Sequence, residues 1–215
     1  MPIITKITEQ KRTPNRRSIY LDGAFAFGCN VNVVAKFRLR EGLSLTSDQI
    51  QQIEKGELRQ ECFDAAMKFL ERRLHSTFEL RRKLQPRGYP ANLIDEVLAD
   101  LSRLGYLDDA RFAQTKAQSA AERKHHGRRR ARAELLKSGV RSDVADQALD
   151  RVYDDKAETR DVARQLALKQ APRLRKLDPQ VAKRRLIGML QRRGFDYDDI
   201  RPILDDVLGR GDDDA

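Results

Sequence analysis

Three glycines, Gly88, Gly139 and Gly194, stand 51 and 55 residues apart and carry one apolar pattern around them. Four positions before each is a leucine (Leu84, Leu135, Leu190), and eight before are Leu80, Ala131 and Leu186. One position after come Tyr89, Val140 and Phe195. Further on, Ile94, Val97, Leu98 and Leu101 are matched by Ala145, Ala148, Leu149 and Val152, and again by Ile200, Ile203, Leu204 and Val207. That spacing of i, i+3, i+4, i+7 is one face of a helix. Each repeat therefore reads as a helix, a second helix stopped by a left-handed glycine, and a third helix. Such units bury their apolar stripes only by stacking on one another, so the expected fold is mainly α, an elongated stack of three three-helix repeats.

Local signals agree with this register. Ser76-x-x-Glu79 is a capping box for a second helix, and Asp178-Pro179 places an N-cap and an N1 proline at the matching point of the third repeat. Asp108 is a cap for the first helix of the second repeat. Pro172, with four extra residues, is expected to lengthen a connection in the third repeat. The first sixty residues differ. Asp22-Gly23 between Ile19-Tyr20-Leu21 and Ala24-Phe25-Ala26-Phe27 is a two-residue hairpin signal, which sets Tyr20 opposite Phe25 and Ile19 opposite Ala26. Residues 3–9 can add a strand, and short helices follow Cys29 and Thr46/Ser47. The predicted organisation is a small β-hairpin and helix extension over 1–60, repeats over 61–106, 107–153 and 154–208, and an acidic, disordered tail over 209–215.

Composition excludes several classes. The chain has 215 residues, 43 Lys and Arg against 33 Asp and Glu, no Trp and 6% aromatics, so an aromatic-rich β core is not expected. No run of apolar residues is long enough to span a membrane, and the opening MPIITKITEQKR has no apolar core like that of a secretory signal. Cys29 and Cys62 are too few for a disulfide scaffold or structural zinc site, and read as buried thiols of a cytoplasmic protein. The net charge of +10 points to a polyanionic partner.

The arrangement of that charge is more informative than its sum. The second helices (76–87, 127–138, 179–193) carry fourteen Lys or Arg and two Glu, whereas the third helices (91–102, 143–153, 198–208) carry ten Asp or Glu and two Arg. A helix-turn-helix reader would place a third helix in the major groove, whose phosphate walls repel such carboxylates. Phosphate contact is expected instead from the second helices, because arginine grips phosphate oxygens with two parallel hydrogen bonds. Arg128, Arg129, Arg130, Arg132 and Lys137, flanked by Arg123 and Lys124, are the densest patch. Lys183, Arg184, Arg185, Arg192 and Arg193, with Arg173, Arg175 and Lys176 upstream, are the second; Arg16, Arg17, Arg81, Arg82 and Lys83 are subsidiary. The plainer alternative is that basic and acidic helices pair within each repeat. Another is a surface with two ridges, one facing a polyanion and one facing a basic protein.

No catalytic constellation emerges. There is no phosphate-binding glycine loop, G-x-G-x-x-G or H-E-x-x-H motif. His125 and His126, about 100° apart on a helix, are poor co-ligands and read as solvated or phosphate-contacting. Asp22 with Glu9-x-Lys11 loosely matches a metal nuclease triad but is better explained by the turn, and Asp108-Asp109 by helix capping. The chain is expected to be no enzyme and to need no cofactor or metal.

The run Leu104-Gly105-Tyr106-Leu107-Asp108-Asp109-Ala110-Arg111-Phe112-Ala113 resembles the hallmark of the bacterial RecX family of recombination regulators. Gly127-Arg-Arg-Arg-Ala-Arg-Ala-Glu-Leu135 with Lys137-Ser138-Gly139-Val140 is similar to that family's basic second-repeat helix, and Leu80-Arg-Arg-Lys-Leu84 with Arg87-Gly88-Tyr89 to its first repeat. Ile19 to Gly23 resembles the hairpin extension of some members. The resemblance implies a non-enzymatic, monomeric regulator of the RecA recombinase, with a place in DNA repair and the SOS response. It would lie in the helical groove of the RecA–DNA filament and inhibit ATP hydrolysis, strand exchange and filament growth. It would bind single- and double-stranded DNA weakly and in a salt-dependent way.

Overall fold

A computed structural model of the chain describes residues 1–208; the tail expected at 209–215 lies outside the described residues. Three strands, β1 (Ile4–Gln10), β2 (Thr13–Leu21) and β3 (Ala24–Asn30), precede ten helices. These are α1 (Val31–Lys36), α2 (Ser47–Leu70), α3 (Thr77–Leu84), α4 (Ala91–Arg103), α5 (Asp109–Glu122), α6 (Arg128–Lys137), α7 (Ser142–Val152), α8 (Lys156–Leu174), α9 (Pro179–Arg192) and α10 (Tyr197–Leu208), with a 3-10 turn Gln85–Arg87 after α3. The mainly α class holds, as do the three three-helix repeats. The chain forms two compact units, Met1–Arg73 with Leu80–Tyr106, and Leu74–Glu79 with Leu107 onward.

In the first unit the strands form one antiparallel sheet in the order β1-β2-β3. Asp22 and Gly23 both take positive φ (49° and 87°), as a tight hairpin turn demands, and Asp22 Oδ1 also accepts the Ile3 N–H at 2.9 Å. Tyr20 faces Phe25 as expected, ring edge to ring face. Ile19 does not face Ala26. The register slips there, and Ile19 pairs with Phe27. The extra residue leaves Ala26 exposed and turns Phe27 onto the core around Ile4, Ile19, Cys29, Val33 and Ile53, burying a ring where the regular register offers a methyl group. Burial pushes the thiol of Cys29 up to about 12 and that of Cys62 to about 11, so neither is a ready nucleophile.

Thr46 opens α2 with a complete capping box to Gln49. The helix then runs unbroken to Leu70, so the boundary read at residue 60 falls inside it. A ring explains Gly56 within this helix, since a Cβ there would stand 2.8 Å from Phe37. α4 packs on α2, where Arg59 pairs with Asp100.

The second unit holds repeats two and three. The third helices α7 and α10 lie against the first helices α5 and α8. Those first helices present small residues to them: Ala113, Ala117 and Ala120 on α5, and Ala163, Ala167 and Ala171 on α8, all buried. Of the twelve third-helix positions matched in the sequence, eleven are buried, and only Val152 is partly exposed. All three repeat glycines are left-handed, with φ of 84°, 75° and 90° at Gly88, Gly139 and Gly194. Pro172 does not sit in a connection. It lies near the end of α8, with its flanks anchored by buried Ala171 and half-buried Leu174.

Candidate nucleic-acid interface

α6 begins with three consecutive arginines, an unfavourable start because a helix N-terminus carries partial positive charge. The cause of its stability lies at the end of α9. Gly127 N–H donates to Arg193 O at 2.9 Å and Arg129 N–H to Gly194 O at 3.1 Å, so α9's last carbonyls satisfy α6's first amides. Arg130 Nη1 donates to Arg192 O and Arg193 Nη1 to Lys124 O, each at 3.1 Å. No side chain fits between the two backbones. A Cβ on Gly127 would stand 2.3 Å from Gly194 O, and one on Gly194 2.4 Å from Arg130 N. The other end of α6 is joined similarly. Ser76 Oγ donates to Ser138 O at 2.5 Å, and a Cβ on Gly139 would stand 2.2 Å from that of Phe78.

This joint brings Lys124, Arg129, Arg130, Arg192 and Arg193 together from two separate runs of sequence, beside a groove of about 670 Å³ lined by Arg129, Arg130, Gly188, Gln191, Arg192 and Gly194. Gly188 and Gln191 also line a second groove of about 580 Å³ along α9, with Gln180, Lys183 and Arg184. Gly188, in mid-helix, forms part of the floor of both.

The two basic runs differ in what they touch. Arg132 grips Asp146 with Nε at 2.6 Å and Nη2 at 3.0 Å and also reaches Ser142; Arg128 pairs with Asp150 at 2.6 Å. Hydrogen bonding from Arg132 holds the Asp146 carboxyl below its usual range. Lys124 (2.8 Å) and Arg130 (3.7 Å) converge on Glu134, and Arg129 faces Asp196 at 3.7 Å. Burial works to raise the Glu134 pKa, but Lys124, His126 and Arg130 hold it down. Pairing between the basic and acidic helices of the repeat, the plainer alternative, thus describes Arg128 and Arg132, whereas Arg130 turns to its own helix and Arg129 to Asp196 of the third repeat. In the third repeat two acids of α10 turn elsewhere: Asp199 to Arg160 and Asp206 to Arg164, both on α8. Lys183, Arg184, Arg185 and Arg192 therefore have no acidic partner among the described residues, nor do Arg173, Lys176, Arg123 and Lys137.

Other expected contacts are structural. Arg175 donates to Val207 O at 2.8 Å and closes the end of α10. Arg16 lies between Glu57 and Glu61, Arg17 donates to Pro14 O, Arg81 pairs with Asp95, and Lys83 stands over the Phe69 ring; Arg82 is exposed. His125 and His126 are not helical. They form the link from α5 to α6, where His125 has φ of 52° and His126 is buried rather than solvated. Burial, then Arg130, lowers the His126 pKa. Tyr153 donates to His126 O at 2.8 Å, and burial pushes its hydroxyl up to about 12. The sequence reading missed Gly127 and Gly188. A glycine cap before an arginine run and a glycine in mid-helix were the available signals. Among the described residues no helix is long and apolar enough to cross a membrane.

Family models match four segments: the RecX regulatory protein N-terminal domain over residues 2–46, and the first, second and third RecX three-helix domains over 62–101, 108–149 and 158–204. The chain is 32% identical to a Regulatory protein RecX of Bacillus velezensis and 30% identical to one of Bacillus subtilis, in each case across the whole chain and 81% of the relative. A crystal structure of a regulatory protein RecX shares the fold, with a TM-score of 0.84 over 95% of this chain and all of that one at 24% identity.

Proposed function

The chain belongs to the RecX family of regulatory proteins, and from that premise we propose that it regulates a RecA-type recombinase by binding the recombinase–DNA filament in its helical groove. On this reading it inhibits ATP hydrolysis, strand exchange and filament growth, as a cytoplasmic monomer without catalytic activity of its own. The observation that carries the reading is the basic face of α9, whose cations have no carboxylate partner among the described residues, on a chain matched by the family along its length. On this reading those side chains meet phosphates, while Asp146 and Asp150 of α7 and Asp199 and Asp206 of α10 are engaged in ion pairs and the third helices stay off DNA. Sub-stoichiometric protein is expected to suppress the DNA-dependent ATPase of a recombinase. Unchanged ATPase and strand exchange at saturating protein would defeat the reading.

The same unpartnered cations support a second reading, a stand-alone, sequence-nonspecific DNA-binding protein. It requires tight binding to naked DNA without recombinase. Affinity would fall with salt at a log–log slope of about 0.9 for each phosphate neutralised.

A further inference from the structure

Among the described glycines of the second unit, Gly127, Gly139 and Gly194 are explained by what a Cβ would strike, at 2.3, 2.2 and 2.4 Å. Gly188 is not explained in this way. It sits inside α9, and among the described residues a Cβ there would meet only Arg192 Nη1, at 3.3 Å, the end of a flexible side chain. Glycine inside a helix destabilises it relative to alanine, because it has more backbone freedom to lose on folding. Nothing within the unit calls for this glycine, so its purpose is sought outside.

Gly188 keeps a floor low. The grooves of about 580 and 670 Å³ share Gly188 and Gln191 and together cross α9. No carboxylate and no aromatic ring is among the described residues that line them. Arg184 and Arg192 stand four positions to either side of Gly188, on its face of the helix and about 6 Å away along the axis. Neither has an acidic partner among the described residues, and Arg192 already brings its guanidinium over the glycine.

We propose that the sugar–phosphate backbone of one DNA strand crosses α9 at Gly188, low enough for Arg184 and Arg192 to close on its phosphates from both sides. A free anion would use only one of the two grooves. An acidic peptide carries its charge at the ends of side chains and can reach these arginines without lying on the helix. A phosphodiester carries its charge in the chain itself and needs the floor. With no ring to stack on, the bases contribute nothing and the contact is blind to sequence. This deepens the DNA contact proposed above and rests on it for the ligand; Gly188 then sets how closely the strand approaches.

The test uses the full chain and the variants G188A and G188Q, neither of which alters the net charge. G188A should raise the urea midpoint yet lower affinity for a naked single strand about threefold, and G188Q should lower it at least tenfold. The salt slope of binding should fall by about 0.9–1.8, one or two phosphate contacts, although no cation has been removed. An abasic strand of equal length should bind the wild type as the natural strand does. Wild-type affinity or an unchanged salt slope in both variants overturns the proposal, as does weak binding of the abasic strand. A loss confined to RecA-type filaments, with naked-DNA binding intact, also overturns it and assigns the groove to the recombinase. If G188Q does not fold, G188A decides alone by the same readings. Failure of the wild type to suppress recombinase ATPase defeats the filament reading and leaves the role of Gly188 standing. Normal suppression, with wild-type DNA binding by the variants, does the reverse.

Discussion

Repeats two and three share a pattern of apolar residues and a basic second helix, but dispose of their charge in opposite ways. In repeat two, α6 turns two of its arginines onto α7, where Asp146 and Asp150 absorb Arg132 and Arg128. In repeat three, α8 carries Arg160 and Arg164 opposite Asp199 and Asp206 of α10, and the cations of α9 are left facing outward. The denser basic run is therefore the more neutralised, and the poorer one carries the open face. Counting charges along a helix says how many cations exist; which of them can meet a phosphate depends on the helix against which the acids lie.

The largest expected effect concerns the joint that makes the two repeats neighbours. All three repeat glycines are left-handed, yet a Cβ on Gly88 meets nothing within 4 Å, whereas one on Gly194 strikes backbone. Substituting valine at Gly88 should cost about 1–2 kcal/mol from backbone strain alone. At Gly194, and at Gly139 against Phe78, overpacking adds about 1–3 kcal/mol. Urea unfolding of the three variants tests this, and equal losses would show that the close approach of helix ends stabilises nothing. Next comes the charge contrast itself. K183Q/R184Q/R185Q should lower the salt slope of DNA binding by about 2.7, since each phosphate contact contributes about 0.9. R128Q/R132Q should lower it by less than one unit. The reverse order would return the interface to repeat two.

A smaller effect sharpens the same contrast. D146N/D150N releases Arg132 and Arg128, and should tighten DNA binding a few-fold while changing stability by only about 0–1 kcal/mol, as exposed pairs do. The smallest is a pH effect at the joint. The folded pKa of His126 is below its unfolded value of about 6.5, so the unfolded chain binds the proton first. Its contribution to stability is present above that value and is lost as pH falls through 6.5 toward the folded pKa. One proton can contribute a slope of at most about 1.4 kcal/mol per pH unit. Wild type should therefore lose more stability than His126→Gln between pH 7.5 and 5.5, and matching slopes in denaturant titrations would remove His126 from the account.

Much of the fold is legible because it rests on short-range rules. The Asp22-Gly23 turn, the Thr46 start and the Asp108 and Asp178 caps are local hydrogen bonds between residues a few positions apart. The helix faces follow from a period of 3.6 residues, and the glycine stops from the left-handed conformation. The hairpin register beyond Phe25 was not legible, because the slip that pairs Ile19 with Phe27 answers to a core supplied by α1 and α2. The burial of His126, expected from the sequence to be solvated or phosphate-contacting, is not legible because burial at a link between helices has no periodic signature.

The candidate interface divides along the same line. Which residues are cationic, and that basic and acidic helices alternate, is a property of the chain as written. Tertiary structure alone decided that α9's last carbonyls would cap α6, drawing Arg192 and Arg193 beside Arg129 and Arg130 across some sixty positions of sequence. It alone decided that Asp199 and Asp206 would face α8 and leave Lys183, Arg184 and Arg185 without acidic partners among the described residues. The reason is range. A cap or a turn is settled within a few bonds of its residue, whereas an ion pair is settled by which surfaces the packing of apolar faces brings within about 4 Å, and that depends on the whole repeat at once.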